Sequence, residues 1–540
     1  MLRKLTAIGV FLAALAPSAY LAWTLRAMPH LGFYHDDGIY WVSARSLAMG
    51  DGYRIQSLPG QPYQTKYPPL YPALLAVVWK LDPQFPSNLP LATMLAWLLF
   101  PLLLGTLWLL LREYGFNRGE QYLLILLAAL SPVAVVFSFS LMPELLFETL
   151  LLISLILAER AMKPAAARWL PLVAGICAAL AYLAKSVAAP LLFTVPLCFA
   201  LRKQYRKAAL FFVAMLPALI GWQWWVARHL THSWDLVTLY YTNYAGFQIY
   251  NVPLRDLPLV IWYNLDNFLM GAGKLLIFDL PYGSKTLERL VAIGAIAGCV
   301  RLTLCTRRLQ YPLAALGMSA LLLVWHFPPD QRFVFPMYPL LLMGLVTEVR
   351  NIWRMLRLTW AKPAFAERFA AASIGFVLAA VAAFAVFCTA FGLSHFIPDL
   401  FASYRTDFLA RAAAFEWIDH NVPAGANIYA YQDPVMFLYT GHQSCHLPIP
   451  PKFLYHSDDR GIDKLMGSMP EFARGYGLEY LLMTPDDYYR DLDAKGTHGL
   501  NRAMHSDAFS KLYVAKGVSI YKLNSALDPG AASARLRLGL

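Results

Sequence analysis

Residues 34–72 read YHDDGIYWVSARSLAMGDGYRIQSLPGQPYQTKYPPLYP and lie between the first two long apolar runs of the chain. Two adjacent carboxylates, Asp36 and Asp37, follow closely on the first run, and Lys66 stands just ahead of a proline pair. A carboxylate at either acidic position can accept the free N–H groups of a first helical turn, so a helix is expected to begin there. Tyr40, Ala44, Leu47 and Ala48 then recur at helical spacing, with Ser43, Arg45 and Ser46 largely on the other side. That is the pattern of a helix lying flat on a membrane surface. Gly50-Asp51-Gly52 ends it. Pro59, Gly60, Pro62, Pro68, Pro69 and Pro72 break any further long helix and predict an ordered loop that holds Lys66 in place.

The surrounding chain has the composition of a polytopic α-helical membrane protein. Of 540 residues, 58% are hydrophobic and 14% charged, and the mean hydropathy is +0.47. About eleven apolar spans are expected, at 5–25, 90–111, 121–139, 142–159, 168–184, 186–201, 208–227, 286–303, 310–326, 333–349 and 371–393. The first resembles a signal peptide in its basic start, but its length suits an uncleaved span. Arg and Lys gather in alternate loops, at Arg3–Lys4, Arg112–Arg118, Arg160–Arg168, Arg202–Lys207, Arg301–Arg308 and Arg350–Arg368. This alternation predicts a cytoplasmic N-terminus in a cell membrane. It also accounts for the net charge of +12 without nucleic acid. The six cysteines show no metal-ligand spacing and imply no disulfide framework.

With that orientation the loop 26–89, the segment 228–285 and everything after 394 face outward. The segment 228–285 carries Trp234, Tyr240, Tyr241, Tyr244, Phe247, Tyr250, Trp262 and Tyr263, which suit either interfacial helices or a wall against sugar or lipid. Residues 1–393 read as the membrane domain and 394–524 as a small extracytoplasmic α/β domain. Within the latter a helix is expected at 404–420, a strand at 427–431, a helix at 462–476, a strand at 478–484 and a hairpin at 511–523 turning at Lys516-Gly517. The Ala- and Arg-rich tail 525–540 reads as disordered.

Charged residues at the outer ends of spans are expensive and therefore informative. They are Glu144 and Glu148, Lys185, and His326, Asp330 and Arg332, beside Asp36, Asp37 and Lys66 of the loop. Each has a plain structural alternative. Asp36 can be a helix cap, Lys66 can snorkel to lipid phosphates, and Glu144 after Pro143 suits a helix dipole. Glu148 can pair with Lys185, and Asp330 and Arg332 can cap their loop. A divalent metal held by Asp36, Asp37 and Glu144 is conceivable from three carboxylates.

HDDGIY in the first outer loop, KYPPLYP before the second span, a Pro-Glu at an outer helix start and an Arg shortly before FPMYP together resemble the family 39-type glycosyltransferases of the GT-C class. Relatives are the protein O-mannosyltransferases and the bacterial aminoarabinose transferases. The resemblance implies that Asp36 matches the catalytic acid of the family. Asp37 stands where the family commonly has Glu. Lys66 is implied at the donor's lipid phosphate, with Arg332, Glu144 and Tyr67 as further contacts. The implied reaction moves a hexosyl or pentosyl group from a polyprenyl-phosphate-linked donor to a lipid, polysaccharide or protein acceptor. A lipid or oligosaccharide transporter or flippase of the envelope would also expose charges within the membrane, but such proteins more often show two similar halves with interrupted helices. A scaffold acting through the outer domain would leave the aspartate loop dispensable.

Overall fold

The computed structural model describes residues 2–26, 31–278, 284–361, 365–485, 487–488 and 497–524. The expected disordered tail, 525–540, lies outside them. The chain divides into two compact units. The first comprises Met1–Arg26, Thr93–Trp222 and Ile261–Leu400, and the second Ala27–Ala92, Gln223–Val260 and Phe401–Leu540.

The first unit is helical. Across the described residues, six helices are long and apolar enough to cross a bilayer, and a seventh crossing results if one bent pair is counted as a span. That pair, Arg118–Ala129 and Pro132–Phe139, is bent by 60° where a single run was expected over 121–139. The proline at the start of the second helix donates no N–H and disfavours helical backbone in the residue before it. The expected runs 168–184 and 186–201 are the shorter helices Leu170–Ala184 and Ser186–Leu201, separated at Lys185 by extended backbone. Three basic loops meet at one carboxylate, Glu113, which pairs with Arg160 at 3.3 Å, Lys163 at 2.5 Å and Arg308 at 3.4 Å.

Lys285–Thr306 and Tyr338–Trp360 approach until their backbones touch. A Cβ at Gly298 would lie 1.9 Å from the Gly344 carbonyl oxygen, and one at Gly344 2.3 Å from that of Ala295. Small residues allow such approach between apolar helices, which have no hydrophobic drive toward each other inside lipid.

The second unit has a five-stranded sheet of β1 (Asn427–Ala430), β2 (Ser444–Cys445), β3 (Leu478–Met483), β4 (Phe509–Ala515) and β5 (Val518–Leu523), in the order β2-β1-β3-β5-β4. β1 runs parallel to β2 and β3, whereas β5 is antiparallel to β3 and β4. The hairpin turns at Lys516-Gly517, both with positive φ, as a two-residue turn requires. The helix expected over 462–476 is two helices, Asp459–Gly467 and Met469–Gly475, meeting at Ser468. The pattern at 404–420 lies in a helical stretch, Phe365–Asn421, that also contains the last apolar run.

The helix Asp36–Met49 is not the surface helix its polar positions suggested. Ser43 and Ser46 are as buried as Tyr40, Trp41 and Val42. Trp41 packs on Trp79 of the helix Leu70–Leu81 with ring centroids 4.8 Å apart, and Trp79 Nε1 donates to the Trp41 carbonyl at 3.2 Å. The start of the helix meets the helix Asp433–Thr440, where a Cβ at Gly38 would lie 2.9 Å from Pro434 Cβ. Gly50 caps its end in the left-handed conformation, as expected.

The close crossing predicts that Gly298→Leu destabilises the protein by about 1–3 kcal/mol or more, the range for overpacking. Gly294→Ala in the same helix, where an added Cβ meets nothing within 4 Å, leaves stability unchanged or slightly raised. Thermal unfolding in detergent measures both, and equal midpoints for the two variants would contradict the crossing.

Candidate functional site

Ahead of the helix Asp36–Met49 the chain turns sharply, with Gly32 at φ 94° and His35 at φ 59°. Asp37 holds this turn. Its Oδ1 accepts the backbone N–H of Gly32 at 3.0 Å and of Gly38 at 2.7 Å, and the residue is 1% exposed. Burial pushes the Asp37 carboxyl up to about 6, with the backbone donors acting against that rise. Asp36 beside it is half-buried and accepts a hydrogen bond at Oδ1 from the Tyr67 hydroxyl. Burial, reinforced by the neighbouring Asp36, raises the Tyr67 phenol well above its usual range, so it remains a donor. The adjacent carboxylates thus do different work: Asp37 shapes the turn, and Asp36 presents a carboxylate at the edge of the buried region. His35 stands at the N-cap and makes no side-chain cap bond, so neither aspartate is the N-cap, although Asp37 accepts the first-turn N–H of Gly38.

Lys66 follows from how its loop is tied. Gln64, fully buried, accepts the N–H groups of Lys66 and Tyr67 at its Oε1, at 2.9 and 3.1 Å, and its Nε2 donates to Ser43 Oγ at 3.3 Å. The Tyr53 hydroxyl donates to the Tyr67 carbonyl at 2.9 Å, Trp225 Nε1 to the Gln64 carbonyl at 3.0 Å, and Thr65 Oγ1 to the Thr242 carbonyl at 2.6 Å. Held this way, Lys66 is only 5% exposed, and its Nζ lies 4.2 Å from the ring centroid of Tyr240, 5.1 Å from Tyr67 and 5.4 Å from Tyr244. The ring faces stabilise the ammonium without neutralising it. A lysine reaching for lipid headgroups would be exposed; this one points into the unit.

The aromatic segment after residue 228 divides by exposure. Tyr240, Tyr241, Tyr244 and Phe247 turn toward the interior of the second unit, whereas Trp234 and Trp262 remain exposed.

A neighbouring group gathers His35, Asp433, His446 and Tyr241. The His35 Nε2 and the Tyr241 hydroxyl lie 2.8 and 2.6 Å from Asp433 Oδ1, and His446 Nδ1 lies 3.1 Å from it. Sequence reading assigned His35, Asp433 and His446 no role and read Tyr241 only as part of the aromatic segment. His35 was visible as the first residue of the HDD motif, but Asp433 is 398 positions away, beyond any spacing rule.

Glu144 and Arg332 belong to the first unit. Glu144, in the first turn of Glu144–Ala161, meets Lys185 Nζ at 2.9 Å and Arg332 Nε at 2.7 Å through its Oε1. Lys185 thus pairs with Glu144, while Glu148, which also feels the charge of Lys185, takes a 3.4 Å hydrogen bond from the Tyr311 hydroxyl. Lys185 follows the end of Leu170–Ala184; Glu144 sits in the first turn of the preceding helix, Glu144–Ala161, and Glu148 one turn further along it. Asp330 accepts the N–H groups of Arg332 at 2.9 Å and Phe333 at 3.3 Å, so it caps its loop. Of the three carboxylates considered for a metal, Asp36 and Asp37 belong to the second unit and Glu144 to the first.

No protein-family model matches the sequence, and no curated protein sequence matches it significantly. Solved structures do. ArnT from Cupriavidus metallidurans bound to undecaprenyl phosphate is similar over 96% of this chain and 98% of its own length, with a TM-score of 0.53 and 15% identity. The archaeal oligosaccharyltransferase AglB from Archaeoglobus fulgidus, in complex with an inhibitory peptide and a dolichol-phosphate, is similar over 98% of this chain and 75% of its own length, with a TM-score of 0.54 and 13% identity. The likeness shows the fold: the chain is built as these two structures are.

Gln64 supports the loop from a fully buried position, so Gln64→Ala leaves two backbone N–H groups and Ser43 without their partner. A loss of about 2–3 kcal/mol is expected from the unmet buried donors, read as a lower unfolding midpoint. Ser43→Ala, which breaks only the 3.3 Å contact, should shift it much less. An unchanged midpoint for Gln64→Ala would contradict the role given to Gln64.

Proposed function

We propose that this chain is an integral membrane glycosyltransferase that moves a sugar from a polyprenyl-phosphate-linked donor to an acceptor hydroxyl at the outer face of the membrane. The observation that carries the reading is that Tyr67 of the tied loop binds a half-buried carboxylate, Asp36 at the start of the helix Asp36–Met49, while its chain neighbour Lys66 is a nearly buried ammonium. The fold adds support, since the similar ArnT and AglB structures are described as bound to undecaprenyl phosphate and to a dolichol-phosphate.

In this mechanism Asp36 accepts the proton of the acceptor hydroxyl as the oxygen attacks the anomeric carbon. The bond from that carbon to the phosphate oxygen breaks, and the polyprenyl phosphate departs as a monoester whose growing negative charge Lys66 stabilises. Attack from the face opposite the phosphate inverts the anomeric configuration, by the geometry that separates inverting from retaining glycosidases. Tyr67, donating to Asp36, orients the base. In the first unit, Arg332, oriented by Glu144, is assigned to donor-phosphate binding. A fixed cation in a low-dielectric setting acts on developing charge far more strongly than one in water.

The reading includes the membrane topology. Counting the bent pair as one crossing and adding Glu144–Ala161, Leu170–Ala184, Ser186–Leu201 and Gln310–Leu323 to the six longer helices gives eleven spans. With a cytoplasmic N-terminus this count sends residues after the last span outward.

Three substitutions separate the roles. Asp36→Asn keeps an oxygen that accepts the Tyr67 hydrogen bond but cannot take a proton. Folding and donor binding should stay near normal while single-turnover transfer falls by about 10²–10⁴-fold. Lys66→Met keeps the apolar stem and should weaken polyprenyl-phosphate binding by about 10–100-fold, the loss expected for a hydrogen bond to a charged group. Asp37→Asn retains an oxygen for the backbone donors and should transfer faster than Asp36→Asn. Near-normal transfer by Asp36→Asn would remove it as the base; a large loss confined to Asp37→Asn would shift that role by one residue.

A further inference from the structure

The transfer chemistry above leaves His35, Asp433, His446 and Tyr241 unused, yet their polar atoms converge in the interior of the second unit. Asp433 is 0% exposed and His446 5%. The nearest ligand atoms of His35, Asp433 and His446 all lie within 4.8 Å of one another. The three residues come from the turn before Asp36, from the first turn of Asp433–Thr440 and from just after β2.

Protons alone do not satisfy this arrangement. The Tyr241 hydroxyl oxygen, His446 Nδ1 and Asp433 Oδ1 form a triangle with sides of 2.6, 2.6 and 3.1 Å. The hydroxyl carries one proton and Nδ1 at most one, so at most two sides can be hydrogen bonds. His35 Nε2 reaches the same carboxylate oxygen, while Asp433 Oδ2 is buried with no hydrogen-bond partner among the described residues. His35 Nδ1 is likewise buried and without a hydrogen-bond partner there. A buried carboxylate oxygen left without a donor is costly, and a cation would engage the lone pairs that the protons cannot reach.

We propose that His35 Nε2, His446 Nδ1 and the Asp433 carboxylate bind one divalent transition-metal ion of the class Zn²⁺ represents, with the Tyr241 hydroxyl or a water as fourth ligand. Two imidazoles and a carboxylate suit such an ion, whereas Ca²⁺ and Mg²⁺ favour sites made of oxygen alone. Tetrahedral coordination at zinc–nitrogen lengths places ligand atoms about 3.4 Å apart, so on binding the 2.8 and 3.1 Å contacts open by a few tenths of an ångström and the widest spacing, which reaches 4.8 Å, closes. Ser444 Oγ, donating to the Asp433 carbonyl at 2.9 Å, fixes the backbone that carries the carboxylate. The ion would fasten the residue immediately before Asp36 to the residues around β2, and so hold the turn on which Asp36 stands. It is a structural centre and takes no part in the transfer step.

The test uses the full-length, tag-free protein in detergent, stripped with EDTA and then dialysed against buffered Zn²⁺. One equivalent should be retained, the unfolding midpoint should rise above that of the stripped protein, and X-ray absorption at the zinc edge should show two imidazoles with oxygen and no sulfur. Asp433→Asn and His446→Ala should each lose the bound equivalent and the rise in midpoint. Should those variants fail to fold, the wild-type absorption spectrum still decides the ligands. Retention of no zinc with an unchanged midpoint, a hydrogen-bond network only, would overturn the proposal. A spectrum with a sulfur ligand or a single imidazole would do the same.

Discussion

The Asp37 carboxylate is the constraint on which the arrangement of the second unit depends. A buried carboxylate that accepts two backbone N–H groups ties Gly32 to Gly38, and the intervening residues must then follow a sharp turn. On that turn His35 takes a positive φ and faces Asp433, while Asp36 faces Tyr67. The next turn of the helix buries Tyr40 and Trp41 against the residues that lead from Lys66 into Leu70–Leu81. Two acids side by side are thus neither redundant nor interchangeable. One fixes the turn through backbone donors, and the other accepts the Tyr67 hydroxyl.

Charge in the first unit is handled differently. Two cations, Lys185 and Arg332, share a single oxygen of the buried Glu144. Removing water from an ion pair is expensive unless partners and hydrogen bonds compensate. Asp330 and Glu148 add further carboxylates within electrostatic reach of the same cations. The aromatic setting of Lys66 differs, since tyrosine faces stabilise the ammonium and add no negative charge to compete with a phosphate.

Much of this was legible in the sequence where a rule acts over short range. Gly50 ends its helix, Lys516-Gly517 turns its hairpin, and the apolar runs appear as helices because each signal needs only a few neighbouring residues. The ordered loop around Lys66 was legible from its prolines, although the role of Gln64 in tying it was not. What escaped depends on contacts across long separations. Asp433 and His446 became partners of His35 only through folding. The helix Asp36–Met49 looked amphipathic because its serines are polar, yet Ser46 is buried with its hydroxyl donating to the Gly52 carbonyl at 2.7 Å. The contact of Lys185 and Arg332 with one oxygen of Glu144 joins residues 41 and 188 positions away, beyond what spacing along one helix reveals.

The central claim is that the chain breaks the bond between a sugar and a polyprenyl phosphate. Phosphorus NMR reads this without knowledge of the acceptor, because the donor is a phosphodiester and the released carrier a phosphomonoester. The purified protein, reconstituted in liposomes with polyprenyl-phosphate hexose or aminopentose donors and an envelope extract as acceptor, should convert the diester signal of at least one donor to the monoester signal. Persistence of the diester signal with every donor, while the protein remains folded and the extract supplies acceptor hydroxyls, would contradict the account.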